Sequence, residues 1–180
     1  MLKLNLGCGE FKLDGFINID CVSAGNVKPD LVLDFVDKQL PYEQNSVDQI
    51  WMIHCLEHIE MPKWGRLLAE FTRVLKDNGS LTLAYPEFKE CARRFIENEN
   101  NQRTFWRATL YGRQLYDTDY HVVPMDSHEI KETLEAAGFY RVGFRYESDN
   151  EPYNTILCAY KDPAPVSREM VLTSELGLAR

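Results

Sequence analysis

Gly7-Cys8-Gly9, Asp20, Asp34 and His54 each stand directly behind a short apolar run, and their types suit the handling of one ligand. The runs are Leu2–Leu6, Phe16–Ile19, Leu31–Leu33 and Ile50–Ile53. Glycines carry no Cβ and let the backbone approach a ligand closely. A carboxylate behind the second run can accept two hydrogen bonds from a ribose diol. Asp34 can accept from an adenine amino group, with the ring of Phe35 beside it as a flat apolar wall. Taken singly, a Gly-x-Gly is a turn and a strand-end Asp is a cap. All of them at consecutive strand ends point instead to an adenosine-containing cofactor.

Two further groups of residues carry possible chemistry. His54-x-x-Glu57-His58 matches an inverted zinc-protease pattern, which needs both histidines on one face of a helix and a distant third ligand. Here the first histidine ends a buried strand and only the second opens a helix. No metal is therefore expected, and His58 reads as a half-buried ring bonding a nearby carbonyl or carboxylate. His54 is expected to contact cofactor or substrate. His121 is the preferred general base, because an imidazole titrating near 6.5 can take a hydroxyl or ammonium proton. It lies in residues 86–127, which hold seven of the chain's 21 aromatics and five arginines (93, 94, 103, 107 and 113). A segment of this length over the strand ends is expected to act as a substrate lid.

The elements that must position these residues follow from periodicity. Leu2, Leu4 and Leu6 alternate as a strand, and Ile50-Trp51-Met52-Ile53 is the continuous run of a strand buried on both faces. Trp64, Leu67, Leu68, Phe71, Val74 and Leu75 form a helical stripe ended by Lys76-Asp77-Asn78-Gly79. Ser80–Tyr85 reads as a strand, and Pro86 as the first residue of the next helix. Asp126-Ser127-His128-Glu129 is a capping box opening a helix that Gly138 stops. Alternation at Tyr140–Tyr146 and again at Tyr153–Tyr160 makes a hairpin turning through 148–152. The fold class is thus α/β, a Rossmann-like, doubly wound, mostly parallel sheet with an antiparallel C-terminal hairpin. One domain spans residues 1–160, and residues 161–180, with two early prolines and mixed charge, form a tail or partner-binding arm.

Composition narrows the class further. The chain has 180 residues, a net charge of −8 and a pI near 5.0, a balance that argues against a phosphate backbone as partner. It contains no apolar run of the ~18 residues needed for a membrane span. The start Met1-Leu2-Lys3 lacks the features of a signal peptide. Five dispersed cysteines without a Cys-x-x-Cys pair suit a reducing, cytoplasmic setting.

Several stretches resemble the small class I S-adenosylmethionine-dependent methyltransferases of the methyltransferase-11-like type. They are Leu4-Asn5-Leu6-Gly7-Cys8-Gly9, Gly15–Asp20, Leu40-Pro41-Tyr42 with Asn45–Asp48, His54–Ile59, Arg73–Gly79 and Leu134–Phe139. The resemblance covers residues 2 to about 146. It implies S-adenosylmethionine as cofactor, bound by Asn5, Gly7, Cys8, Gly9 and Asp20, with Asp34 and Phe35 at adenine and His54 near the reacting sulfonium. It also implies a seven-stranded sheet whose last strand is antiparallel. One departure stands out: only seven residues separate Gly9 from Ile17, too few for a crossover helix, so a loop is expected there. The expected activity is methyl transfer to an oxygen or nitrogen of a small-molecule or sugar-type acceptor, with a homo-oligomer through the tail as a further expectation. Two alternatives remain at this point. One is a catalytically silent S-adenosylmethionine-binding module. The other, a nicotinamide-dependent oxidoreductase, is disfavoured because Lys12 replaces the third glycine and Asp20 follows Gly9 too closely.

Overall fold

The computed structural model describes residues 1–23, 25–115, 118–146 and 153–163, with no side chain described for residues 145 and 146. The turn expected at 148–152 and most of the tail lie outside them. Seven strands form one sheet: β1 (Lys3–Leu6), β2 (Ile17–Asp20), β3 (Leu31–Val32), β4 (Val47–Ile53), β5 (Leu75–Pro86), β6 (Phe139–Tyr146) and β7 (Asn154–Lys161). Their spatial order is β3-β2-β1-β4-β5-β7-β6. Strands β1 to β5 pair in parallel, and β7 runs antiparallel between β5 and β6. The expected hairpin is therefore present, with its second strand turned inward against β5.

Among the described residues four α-helices join the sheet: α1 (Met61–Val74), α2 (Phe88–Glu97), α3 (Arg103–Tyr111) and α4 (Ser127–Ala136). The apolar stripe of α1, Trp64, Leu67, Leu68, Phe71 and Val74, is buried, and so are Ile130 and Leu134 of α4. Both helices share one core cluster with Leu4, Leu6, Ile50, Met52, Leu81, Leu83 and Leu157. Asp126 caps α4 as its sequence indicates, its Oδ1 accepting from the N–H groups of His128 and Glu129 at 3.0 Å each. Pro86 differs from expectation: it ends β5, paired with Asn154, and the helix begins at Phe88 with Glu87 before it. The α1 stripe also ends one residue early, because Leu75 is already extended and belongs to β5.

The connection from β1 to β2 is a loop, as its length required. Among the described residues the β2–β3 and β3–β4 connections also contain no helix. The sheet face carrying Gln49, Trp51 and Ile53 is correspondingly only half-buried. Side-chain amides hold the first loop in place of a helix. Asn5 Nδ2 donates to Asn18 Oδ1 at 2.9 Å and to the Phe11 carbonyl at 3.2 Å, and the Leu13 N–H reaches the same Asn18 oxygen at 2.8 Å. Asn18 in turn donates its N–H and its amide to Asp30 Oδ2 at 2.9 Å each. With Asn5 and Asn18 almost fully buried, this network is satisfied inside the fold, the condition under which buried polar groups rigidify a loop.

Candidate functional site

The carboxyl ends of β1, β2 and β4 bring three of the predicted groups together. Gly7 follows β1 with φ +68°, and a Cβ there would lie 2.3 Å from Cys55 Sγ, so only glycine lets the loop settle on the residue after His54. Its N–H and that of Cys8 both reach the Ile19 carbonyl, at 2.8 and 3.2 Å. Gly9 donates its N–H to Asp20 Oδ2 at 2.8 Å. The other Asp20 oxygen accepts from Val22 N–H at 3.2 Å, and each carboxylate oxygen keeps a further lone-pair direction. The acid behind β2 thus fixes the glycine loop while it retains acceptor capacity for a diol. A Cβ on Gly9 would meet nothing within 4 Å, so the space beside the loop is open.

The remaining predicted cofactor residues separate into groups. Asn5 is spent on the Asn18 network and does not face the strand ends with its amide. Cys8 is buried, and burial together with Asp20 and Asp30 pushes its thiol up to about 11. Cys55 lies well above the ordinary thiol value through burial, then Glu57, then Asp20. Neither thiol is placed to act as a thiolate nucleophile. Asp34 accepts from Val36 and Asp37 N–H at 3.2 and 3.3 Å, a turn-capping geometry that brings the chain back under the sheet edge. Phe35 belongs to the core, with its Cζ 4.0 Å from the Cβ position of Gly7. Its ring supports the glycine loop from beneath.

Past β4 the backbone turns sharply. His54 adopts φ +51°, with its N–H on the Ala84 carbonyl at 2.8 Å, and a 3-10 turn, Leu56–His58, follows. A non-glycine residue held in the left-handed region is strain of the kind found at functional sites. The turn directs Glu57 inward until it is fully buried, and neither carboxylate oxygen has a hydrogen-bond partner among the described residues. His54 Nδ1 stands 3.4 Å from Glu57 Oε1. His58 bonds the Tyr120 carbonyl through Nδ1 at 2.9 Å, the carbonyl partner expected of a half-buried ring.

His121 arrives at this cluster from the segment after α3. Its ring lies edge-on to that of His58, with centroids 4.8 Å apart and planes at 81°. Burial holds its pKa below the ordinary imidazole value, opposed by Glu57 and by a hydrogen bond to the Thr109 backbone. The Val122 N–H donates to the Glu57 carbonyl at 2.9 Å and ties the two segments together. Sequence reading found His54, His58 and His121 separately but missed Glu57 as the residue on which they converge. A lone Glu between two histidines carries no signal that it is buried, and the 63-residue gap to His121 is closed only by the fold.

Against known proteins, the methyltransferase-domain family matches residues 19–83. No curated protein matches the chain in sequence. Among solved structures, an S-adenosylmethionine-dependent methyltransferase from Archaeoglobus fulgidus is similar at TM-score 0.61 and 16% identity, over 88% of this chain and 85% of that one. One from Methanosarcina mazei gives 0.58 and 15%, over 89% and 92%. A possible histamine N-methyltransferase from Thermotoga maritima gives 0.58 and 15%, over 89% and 82%. The fold is that of the class I S-adenosylmethionine-dependent methyltransferases, as the resemblance in sequence implied. The structures from Archaeoglobus fulgidus and Methanosarcina mazei are described as S-adenosylmethionine-dependent enzymes, and the family match is to a methyltransferase domain.

Proposed function

We propose that the protein transfers a methyl group from S-adenosylmethionine to an oxygen or nitrogen of a small-molecule or sugar-type acceptor. The observation that carries this reading is the joining of the glycine loop to the acid behind β2 through the 2.8 Å Gly9–Asp20 bond, at the switch point between β1 and β4. The donor set suits the cofactor: glycine backbone for close approach, open space at Gly9, and spare acceptor positions on Asp20 for ribose hydroxyls.

When bound, S-adenosylmethionine supplies a methyl group on a positively charged sulfur. The chain's own work is then to align the acceptor and to keep water out. Gly7, Cys8 and Gly9 hold the near side of the cofactor, and Asp34 with Phe35 bounds the adenine side. His54 and His121 stand on the acceptor side. In the reduced ionisation state that burial gives it, His121 offers a lone pair toward the acceptor, as a general base would. Residues 86–127, which include α2 and α3, form the cover of the site. The acidic charge favours a small acceptor over nucleic acid. Five free cysteines, and no described helix long and apolar enough to cross a membrane, fit a cytoplasmic setting.

Calorimetry with S-adenosylmethionine and its demethylated product tests the reading. One site per chain is expected, and absence of heat with both ligands overturns it. The missing crossover helices favour one competing reading, a binding module without turnover. Label transfer from methyl-labelled cofactor to any component of a metabolite extract distinguishes the two.

A further inference from the structure

We propose that Glu57, His58 and His121 bind a divalent transition-metal cation, which holds a hydroxyl oxygen of the methyl acceptor. One ligand atom from each residue lies within 4.8 Å of the others. Bonds of about 2.1 Å at tetrahedral angles bring such atoms to roughly 3.4 Å, a contraction within reach of small side-chain rotations. Glu57 supplies the strongest reason. A fully buried carboxylate with no hydrogen-bond partner on either oxygen among the described residues is costly to maintain, and a coordinated cation satisfies it.

Both histidines are set up as ligands. His58 gives Nδ1 to the Tyr120 carbonyl at 2.9 Å, which places its proton there and leaves Nε2 with a lone pair. His121 is held beside it by its backbone, whose N–H reaches the Tyr111 carbonyl at 3.2 Å, with its ring edge-on to that of His58 at 4.8 Å between centroids. A carbonyl behind a ligating imidazole, as Tyr120 stands behind His58, is the support that orients such rings and raises their basicity. The Val122–Glu57 backbone bond holds the segment bearing His121 against the turn bearing Glu57 and His58.

Two imidazoles and one carboxylate suit Zn²⁺, Mn²⁺, Co²⁺ or Fe²⁺ better than Ca²⁺ or Mg²⁺, which prefer oxygen ligands. Three protein ligands leave a position open, and the half-buried His58 and His121 leave it reachable from outside. The site adjoins the glycine loop, since Cys55, two residues before Glu57, packs on Gly7. Its use in catalysis rests on the methyl-transfer reading and narrows it to an oxygen acceptor, whose hydroxyl a cation acidifies. The acceptor's proton passes to water and its oxygen lone pair forms the new C–O bond. The electrons of the breaking C–S bond return to sulfur and cancel its positive charge. In this arrangement His121 is a ligand, and the acidified hydroxyl needs no separate base.

The test is titration of the metal-stripped full chain with Co²⁺ and Zn²⁺, without cofactor, followed by cobalt absorption and calorimetry. One equivalent with the visible spectrum of a four- or five-coordinate nitrogen–oxygen site is expected. Glu57→Gln, His58→Ala and His121→Asn each weaken binding at least 30-fold, while His128→Ala, at an exposed histidine of α4, binds as wild type does. The wild-type melting temperature rises with Zn²⁺, and that of His121→Asn does not. Wild-type affinity no better than that of His121→Asn, or equal loss in His128→Ala, overturns the proposal. Binding of the demethylated cofactor is measured on the same samples. Its absence beside intact cobalt binding strikes down the methyl-transfer reading and leaves the metal site standing.

Discussion

Gly112 lies outside the glycine loop and the histidine cluster, yet the geometry makes it decisive for the cluster. It ends α3 with φ +79°, ψ 165°, backbone essentially reserved to glycine. A Cβ there would sit 1.9 Å from the Asp119 carbonyl oxygen and 3.0 Å from Tyr120 Cα, both backbone atoms. Since real Cβ contacts essentially never fall under 3.0 Å, Gly112→Ala must push the 119–121 segment away by more than 1 Å. That movement breaks the Gln114–Asp119 bond of 3.3 Å and the His58–Tyr120 bond of 2.9 Å, and it draws His121 off His58. Backbone strain of about 2 kcal/mol and two bonds of about 1 kcal/mol each give a loss near 4 kcal/mol. For a chain of this size that lowers the melting temperature by roughly 8–16 °C. Gly15→Ala is the matched control: its φ is +78° with nothing within 4 Å of the added Cβ, so only the conformational cost of about 1 kcal/mol applies. Thermal unfolding of both variants, with cobalt titration at a temperature where both are folded, tests the reasoning. Equal melting temperatures for the two, with wild-type cobalt affinity in Gly112→Ala, refute it.

Asp20→Asn is expected to weaken S-adenosylmethionine binding by about 1–3 kcal/mol through loss of charge-assisted hydrogen bonds, with cobalt binding unchanged; calorimetry giving the wild-type dissociation constant removes Asp20 from the cofactor site. Glu90, held to about 2 by hydrogen bonds from Arg93 and then Arg94 against the opposing effect of burial, stabilises the α2 region above its ordinary value of 4.5. That contribution is lost as pH falls from 4.5 toward 2. Glu90→Gln should therefore cost on the order of 2–3 kcal/mol at pH 7 and flatten the acid limb of the unfolding curve, and a variant with an unchanged acid limb contradicts the pairing.

The parts of the fold legible in the sequence were those written in periodic burial. The α1 stripe and the Asp126 cap follow from local spacing and the structure reproduces them; β1 and β6 form where alternation placed strands, but Asn5 is buried like Leu4 and Leu6, and Phe144 is exposed. Pro86 misled because its fixed φ serves the end of a strand as well as the first turn of a helix, and the pairing with Asn154 decided between them. The placing of the glycine loop and Asp20 at neighbouring strand ends was legible because each follows an apolar run, and the fold joins them through the Gly9–Asp20 bond. Asn5 was assigned to the cofactor within a stretch that resembles a family, and its buried amide is instead committed to holding the loop. Glu57 was not legible, because its burial arises from the left-handed turn at His54 and from a segment more than 60 residues away.

The two halves of the site are consequently supported by different physics. On the glycine side the connections after β1, β2 and β3 contain no helix among the described residues, and the loop after β1 is held by the buried amides of Asn5 and Asn18, tied to the exposed Asp30. Such a network is cooperative, so removing one amide leaves its neighbours buried without partners. On the other side the buried Glu57 carboxylate has no hydrogen-bond partner among the described residues, with His54 Nδ1 3.4 Å from Oε1, and His58 beside it is held by the Tyr120 carbonyl. A fold that satisfies the buried amides of one half and leaves the Glu57 carboxylate without a hydrogen bond among the described residues is asymmetric in what it awaits. The glycine half is organised before any ligand arrives, whereas the Glu57 half gains its missing interaction from what binds there. Stabilisation by ligand should therefore be unequal, because a ligand adds most where the free protein is least satisfied.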